Sequence, residues 1–228
     1  MYKYPKIETV YKRDMDGTKQ LIEGDFRDKT VAMLANYPIW DCYEKLDGSN
    51  HQIYWDGHRL TLGGRTESSD IPKHIQAYFD EKFNNNETEE LLEQLFAEKP
   101  MVLYFEAIGQ KIQTYGAKYG EVRFVLLDVY NVNNDSWWSI EGILSVAKAL
   151  SVECKWMSCT GITLTDAIEY VRSKTMSVFT RNGELPIEGL VCVPRNELKD
   201  ANGNRIIVKI KGCDFCPDWA SFMKGYKQ

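Results

Sequence analysis

The sequence predicts an α+β fold whose sheets are mainly antiparallel, on three observations. Short β-rich runs dominate the chain, two of them flank the dipeptide Asp56-Gly57, and four separate stretches carry a helical period. The runs 51–55 and 58–62 on either side of Asp56-Gly57 form the strongest short hairpin signal available. Further strands are predicted over 102–108, 122–130, 189–193 and 205–211, from their density of β-branched and aromatic residues. Helices are predicted over 72–83, 89–98, 140–150 and 164–173. Thr163 or Thr165 is placed to cap the last of these, and Asp166 and Glu169 suit its first turns. The stretch Asp14-Met15-Asp16-Gly17 has the start of a calcium loop without its remaining ligands and reads as a hairpin turn.

The composition excludes several classes. The chain has 228 residues, 43% hydrophobic and 27% charged, ordinary for a globular protein and unlike a disordered or collagenous chain. There is no internal repeat and no Pro/Gly/Ser linker, so the expectation is one domain over 1–228. No apolar run approaches the roughly 18 residues that a membrane span needs. The opening Met1-Tyr2-Lys3-Tyr4-Pro5-Lys6 is too polar for a signal peptide, and a cytoplasmic location is expected. The six cysteines (42, 154, 159, 192, 213, 216) read as reduced thiols; Cys213 and Cys216 form the lone Cys-x-x-Cys pair, far in sequence from His51, His58 and His74, and do not read as a zinc site.

The formal charge of −5 argues against a protein that coats nucleic acid by bulk charge, but the acidity is local. Between Asp80 and Glu98 seven acids (Asp80, Glu81, Glu87, Glu89, Glu90, Glu93, Glu98) face a single base, Lys82, which reads as a solvated helical face. From Arg195 to the end, seven bases outnumber four acids.

The most informative stretch is Glu44-Lys45-Leu46-Asp47-Gly48-Ser49-Asn50. An unprotonated lysine amine can attack an α-phosphate to form a phosphoramidate, whereas a free lysine, with a pKa of about 10.4, is almost wholly protonated. Neighbouring cations or partial burial would have to depress that value. Gly48 permits a tight turn after Lys45. By itself the heptapeptide reads equally well as a surface lysine followed by an Asp-Gly turn.

Five more short elements follow in order: Gly63-Gly64-Arg65-Thr66, Tyr104-Phe105-Glu106-Ala107-Ile108-Gly109, Phe124-Val125-Leu126-Leu127-Asp128-Val129-Tyr130, Glu188-Gly189-Leu190-Val191 and Val208-Lys209-Ile210-Lys211. With the Lys45 element they span about three quarters of the chain, and together they resemble the covalent nucleotidyltransferases, the polynucleotide ligases and mRNA capping enzymes, and within them the RNA ligase 2 type. The chain is also similar to short RNA-ligase-like proteins of bacteriophages. Two departures are small: Phe105 stands where many relatives carry a small residue, and Ser49 stands for Thr.

The resemblance implies an α+β nucleotidyltransferase (ATP-grasp-like) domain of mainly antiparallel sheets flanked by helices. It implies an ATP-dependent RNA ligase in which Lys45 becomes adenylylated, AMP passes to a 5′-phosphate, and a 3′-hydroxyl seals the nick. It assigns catalysis to Lys45, Lys209 and Lys211, and a nucleotide shell to Glu44, Leu46, Asn50, Arg65, Glu106, Phe124, Glu188, Lys209 and Lys211. Glu188 would face Mg2+ or Mn2+, Phe124 would stack on adenine, and the partners would be RNA ends or nicked duplex RNA, RNA/DNA hybrids included.

Residue chemistry is consistent with these roles. Lys209 and Lys211, two apart on a predicted strand, point to one face and can clamp an α-phosphate; a lone Lys-Ile-Lys would otherwise read as a strand edge guarded against aggregation. Arg65 offers a planar fork and Glu106 an acceptor for ribose hydroxyls, though each also reads as an ordinary surface residue. Spacing alone makes Phe124 a core residue; the resemblance reverses that. Magnesium keeps several waters and bridges phosphate oxygens, so one carboxylate suffices.

Lys211 is followed by 17 residues, too few for the oligonucleotide-binding or helical domain of larger relatives, so a single catalytic domain is expected, with a protein partner for nick engagement as one consequence. The alternatives are a minimal DNA ligase, a ligase for preadenylylated ends, and a non-catalytic module that binds RNA ends or nicks. RNA repair, in the cytoplasm of a phage-infected host if the chain is phage-encoded, is the family-level context.

Overall fold

The computed structural model describes residues 2–66 and 69–226. In chain order the first elements are β1 (Glu8–Thr9), β2 (Tyr11–Arg13), β3 (Leu21–Phe26), α1 (Lys29–Leu34) and β4 (Trp40–Lys45). Next come β5 (Ser49–Trp55), β6 (Leu60–Gly63), α2 (Lys73–Lys82), α3 (Asn86–Phe96), β7 (Met101–Ile108), α4 (Gly116–Tyr119), β8 (Arg123–Asn131), β9 (Ser136–Trp137), α5 (Ile140–Ala149) and β10 (Glu153–Cys154). The chain closes with β11 (Met157–Ile162), α6 (Leu164–Arg172), β12 (Gly189–Pro194), β13 (Val208–Lys211), α7 (Gly212–Phe215) and α8 (Trp219–Lys224). These elements belong to two compact units: a first of Asp47–Lys155 with the N-terminal residues to Pro5, and a second of Lys6–Leu46 with everything from Trp156.

In the first unit the sheet order is β10-β8-β7-β5-β6, with β9 on β8. The central pairs β5–β6, β5–β7 and β7–β8 are antiparallel, as the hairpin signal predicts. The hairpin loop is longer than Asp56-Gly57 alone: Trp55 pairs with Leu60, and the Asp56 carboxylate accepts the N–H groups of His58 and Arg59 at 2.8 Å, so four residues make the turn. Alternation along the strands sends Ile53, Trp55, Leu103, Phe105 and Leu126 into one core with Ile75 and Phe79 of α2, Leu92 and Phe96 of α3, and Val146 of α5. Helix α3 starts three residues before its predicted position because the Asn85 side chain caps it, accepting from Thr88 N–H at 2.9 Å. It ends at Ala97, whose φ of 51° cannot continue a helix.

In the second unit the sheet order is β1-β13-β12-β4-β11, and β2 and β3 form a separate hairpin. The turn between β2 and β3 is closed by Asp14, whose carboxylate accepts from the N–H groups of Gly17 at 3.0 Å and Thr18 at 2.8 Å. Trp40, Cys42, Leu190, Cys192, Val208 and Ile210 form the inner face of the sheet, packed against Leu164, Ala167, Ile168 and Val171 of α6. The start of α6 is a capping box: Thr163 Oγ1 accepts from Asp166 N–H at 3.1 Å, and the Asp166 carboxylate accepts from Thr163 N–H at 3.1 Å. Strand β13 is shorter than its predicted 205–211 range, since Arg205 makes only an isolated bridge to Lys199. Two edge pairs, β1–β13 and β10–β8, are parallel, a departure from the antiparallel pattern confined to two-residue strands.

All six cysteines are free, Cys213 exposed and Cys216 buried. Among the described residues no group of three or more His, Cys, Asp or Glu side chains is arranged to hold a metal ion, and no helix is long and apolar enough to cross a membrane.

Candidate active site

Register builds the lysine cluster of the second unit. Gly189 pairs with Lys45 on one side and with Lys211 on the other, so Lys45, Gly189 and Lys211 form one cross-strand row. Val191 pairs with Tyr43 and Lys209, the next row on the same face. Side chains in register share a face, so three lysines from two strands emerge on the face opposite the apolar core. The middle position must be glycine: a Cβ on Gly189 would come within 2.0 Å of the Ile210 carbonyl oxygen and 2.8 Å of Lys211 Cα.

Glu188 enters from the chain just before β12. Gly212 N–H donates to its carbonyl at 2.9 Å, which fixes its backbone beside the end of β13. Its carboxylate then bridges two lysines, with Oε2 at 2.5 Å from Lys45 Nζ and Oε1 at 3.2 Å from Lys211 Nζ. The side chains of Lys45, Glu188 and Lys211 are 25%, 18% and 29% exposed, so the ion pairs are partly withdrawn from water yet open to a ligand. Lys209 is pulled below the usual lysine range, first by burial and then by repulsion from Lys45 and Lys211. Lys211 is raised: burial opposes its ammonium form, but attraction to Glu188, then to Cys213, and the Glu188 hydrogen bond outweigh it. Three lysines against one carboxylate leave this face suited to an anion of several charges, such as a polyphosphate.

In the first unit, register also sorts the expected residues. Asn50 pairs with Glu106, and Glu106 with Val125, forming one row; Ser49, Ala107 and Phe124 form the adjacent row, which faces the other way. Asn50 donates from Nδ2 to the Phe105 carbonyl at 3.4 Å. Arg65 lies exposed just after β6. Gly48 packs where a Cβ would meet the Ala107 carbonyl oxygen at 2.3 Å, and its own carbonyl accepts from Gln113 Nε2 at 2.9 Å. The turn after Lys45 is thus held by close backbone approach.

The RNA ligase family model matches residues 39–211, a span that contains all six sequence elements. The chain belongs to the RNA ligase family. Among solved structures, the RNA ligase of Naegleria gruberi is similar over the whole chain. A point mutant with ATP and manganese aligns at a TM-score of 0.63 and 16% identity, covering 100% of this chain and 58% of that one. The same enzyme with pyrophosphate aligns at a TM-score of 0.61 and 16% identity, with the same coverage of 100% and 58%. Another mutant, with AMP and manganese, gives a TM-score of 0.63 at 16% identity, covering 100% and 59%. At these identities the likeness establishes the α+β fold, and the chain spans a little under three fifths of the relative's length. No curated protein matches the sequence.

Within this RNA ligase family chain, the structure brings Lys45, Glu188, Lys209 and Lys211 into one cluster and places Asn50 and Glu106 side by side in another unit. Phe124, expected to stack on adenine, lies among the buried residues of the first unit. It is 1% exposed, its ring centroid lies 5.0 Å from that of Tyr78 and 5.5 Å from that of Phe105, and it belongs to the row facing away from Asn50 and Glu106. The structure packs its ring in the core of the first unit. The side chains of Glu44 and Leu46 are likewise withdrawn, 3% and 4% exposed, because the strand pleat turns Glu44 away from Lys45 and onto the Leu190–Ile210 row. Sequence reading missed Ser177, whose hydroxyl donates to the Glu44 carboxylate; it lies in a segment with no period or motif, 133 positions from its partner.

Proposed function

We propose that this chain is an ATP-dependent RNA ligase that works through a lysyl-AMP intermediate on Lys45. The observation that carries the reading is the row Lys45–Gly189–Lys211 with Glu188 bridging its two lysines and Lys209 one row away. In the first step the Lys45 amine forms a bond to the α-phosphorus of ATP, the α–β phosphoanhydride bond breaks, pyrophosphate leaves, and the amine's proton goes to solvent. Lys209 and Lys211 neutralise the charge that builds on the phosphate oxygens. AMP then moves from Lys45 to a 5′-phosphate, and an adjacent 3′-hydroxyl displaces it to join the strands.

A divalent ion fits the chemistry of Glu188 as a single-carboxylate site of the kind magnesium and manganese occupy beside phosphates. When bound there, such an ion would add positive charge next to the transferred phosphate. The residue's own contribution is to hold Lys45 Nζ in place. Asn50, Arg65 and Glu106 are assigned to the nucleotide by the order of the sequence elements in which they stand. The span is read as one adenylyltransferase domain acting on RNA ends or nicked duplexes in the cytoplasm, in RNA repair.

Incubation with α-labelled ATP and a divalent ion, followed by denaturation, tests the first step. Acid-labile, alkali-stable label is expected on the wild type and absent from Lys45→Ala. An unlabelled wild type would favour a non-catalytic module that binds RNA ends. Nicked duplexes with RNA or DNA at the 3′-hydroxyl side test the substrate: faster sealing with RNA is expected, and equal sealing of all-DNA nicks would point to a DNA ligase.

A further inference from the structure

Glu44 is a buried carboxylate beside the nucleophile for which the proposed chemistry has no use. It lies on the inner face of the second unit's sheet, in the row of Leu190 and Ile210, with the thiols of Cys42 and Cys192 in the neighbouring row of that face. Its charged neighbours along β4, Asp41 and Lys45, are on the opposite face. Its two oxygens are both engaged by one loop: Oε1 accepts from the Ser177 hydroxyl and Oε2 from Val178 N–H at 3.2 Å.

That loop is the one that delivers Glu188. Ser177 N–H donates to the Leu185 carbonyl at 2.8 Å and Ile187 N–H to the Thr175 carbonyl at 2.9 Å, with Met176 and Pro186 bridged between them. The two arms of the loop therefore move as one, and Glu188 is the residue directly after Ile187. Strand β4 grips this loop at two successive positions from opposite faces: Glu44 holds its first arm and Lys45 the carboxylate at the end of its second. Ser177 Oγ also accepts from Phe179 N–H at 3.1 Å, so the grip continues into the loop's tip.

Building on the proposed adenylylation of Lys45, we infer that Glu44 is a positioning residue for that step, fastening the 175–187 loop to β4 and thereby setting where Glu188 stands against Lys45 and Lys211. An ionised Glu44 accepts from both donors, whereas a protonated one must surrender an acceptor site, so the grip tightens as the group ionises. Burial pushes its pKa up to about 7, against which the Ser177 and Val178 hydrogen bonds act; no charged side chain contributes.

Single-turnover label transfer to Lys45 across pH, for the wild type, Glu44→Gln and Ser177→Ala, tests this. The wild-type rate is expected to rise through an inflection near pH 7, the position of the Glu44 ionisation, and Glu44→Gln, whose amide can accept at only one of the two positions, to stay at the slower low-pH rate across the range without that inflection. Ser177→Ala, which removes a tie without emptying the core, is expected to slow the step by about tenfold or more, because small misplacements at a reacting centre are costly. Amide exchange at Val178 should be faster in Ser177→Ala than in the wild type. Superimposable pH profiles for the wild type and Glu44→Gln, with Ser177→Ala within twofold of wild type, would overturn the positioning role while leaving the ligase reading intact. A wild type that takes no label at any pH would overturn the ligase reading on which it rests.

Discussion

Lys45 Nζ and Glu188 Oε2 stand 2.5 Å apart although 143 positions separate them, and the second oxygen of the same carboxylate reaches Lys211. One anion thus sets the spacing of two cations that would otherwise repel. Its removal should be felt at both lysines. Glu188→Gln is expected to slow label transfer to Lys45 by at least about tenfold and to raise the divalent ion concentration giving half-maximal label, since a lost ligand or its support typically weakens metal binding by about 10–100-fold. Label yield against manganese concentration checks both.

Gly189 between those lysines is set by contact. With the Ile210 carbonyl oxygen 2.0 Å from where a Cβ would stand, Gly189→Ala must push β12 away from β13. A loss of about 1–3 kcal/mol is expected, the range typical of overpacking. Urea unfolding of the purified variant measures it, and an unchanged midpoint would contradict the pairing.

Glu44 makes stability pH-dependent with a definite sign. Burial raises its folded value from the ordinary 4.5 to about 7, so the folded state holds its proton more tightly than the unfolded chain. Its contribution favours folding below about pH 4.5, is lost progressively as pH rises through 7, and is gone above that. Relative to Glu44→Gln, the wild type should lose on the order of 3 kcal/mol across that window. Paired denaturant titrations at pH 5 and pH 8 check it; parallel curves for the two proteins would show that Glu44 does not titrate there.

Phe124 separates a core role from a ligand role. Phe124→Ala is expected to cost about 3–5 kcal/mol of stability, as for other fully buried aromatics. Phe124→Leu, which keeps most of the volume, should bind ATP as the wild type does. Weaker ATP binding by Phe124→Leu at unchanged stability would restore base stacking and argue against the core assignment.

The order of the short elements and the placement of Lys209 and Lys211 on one face are legible in the chain, because a two-residue strand period and a fixed Lys-x-Asp-Gly motif are local properties. Helix positions followed from the apolar period, and the small errors came at caps such as Asn85, where one side chain outweighs propensity. The face that Phe124 takes could not be read from the chain, since a pleat has two faces and an aromatic suits either; the register against Glu106 and Ala107 decides it. The pairing of Lys45 with Glu188, the glycine between the lysines, and the engagement of Glu44 by Ser177 were closed to sequence reading. Each depends on strands or loops more than a hundred residues apart arriving at the same row, and that convergence is a property of the sheet alone.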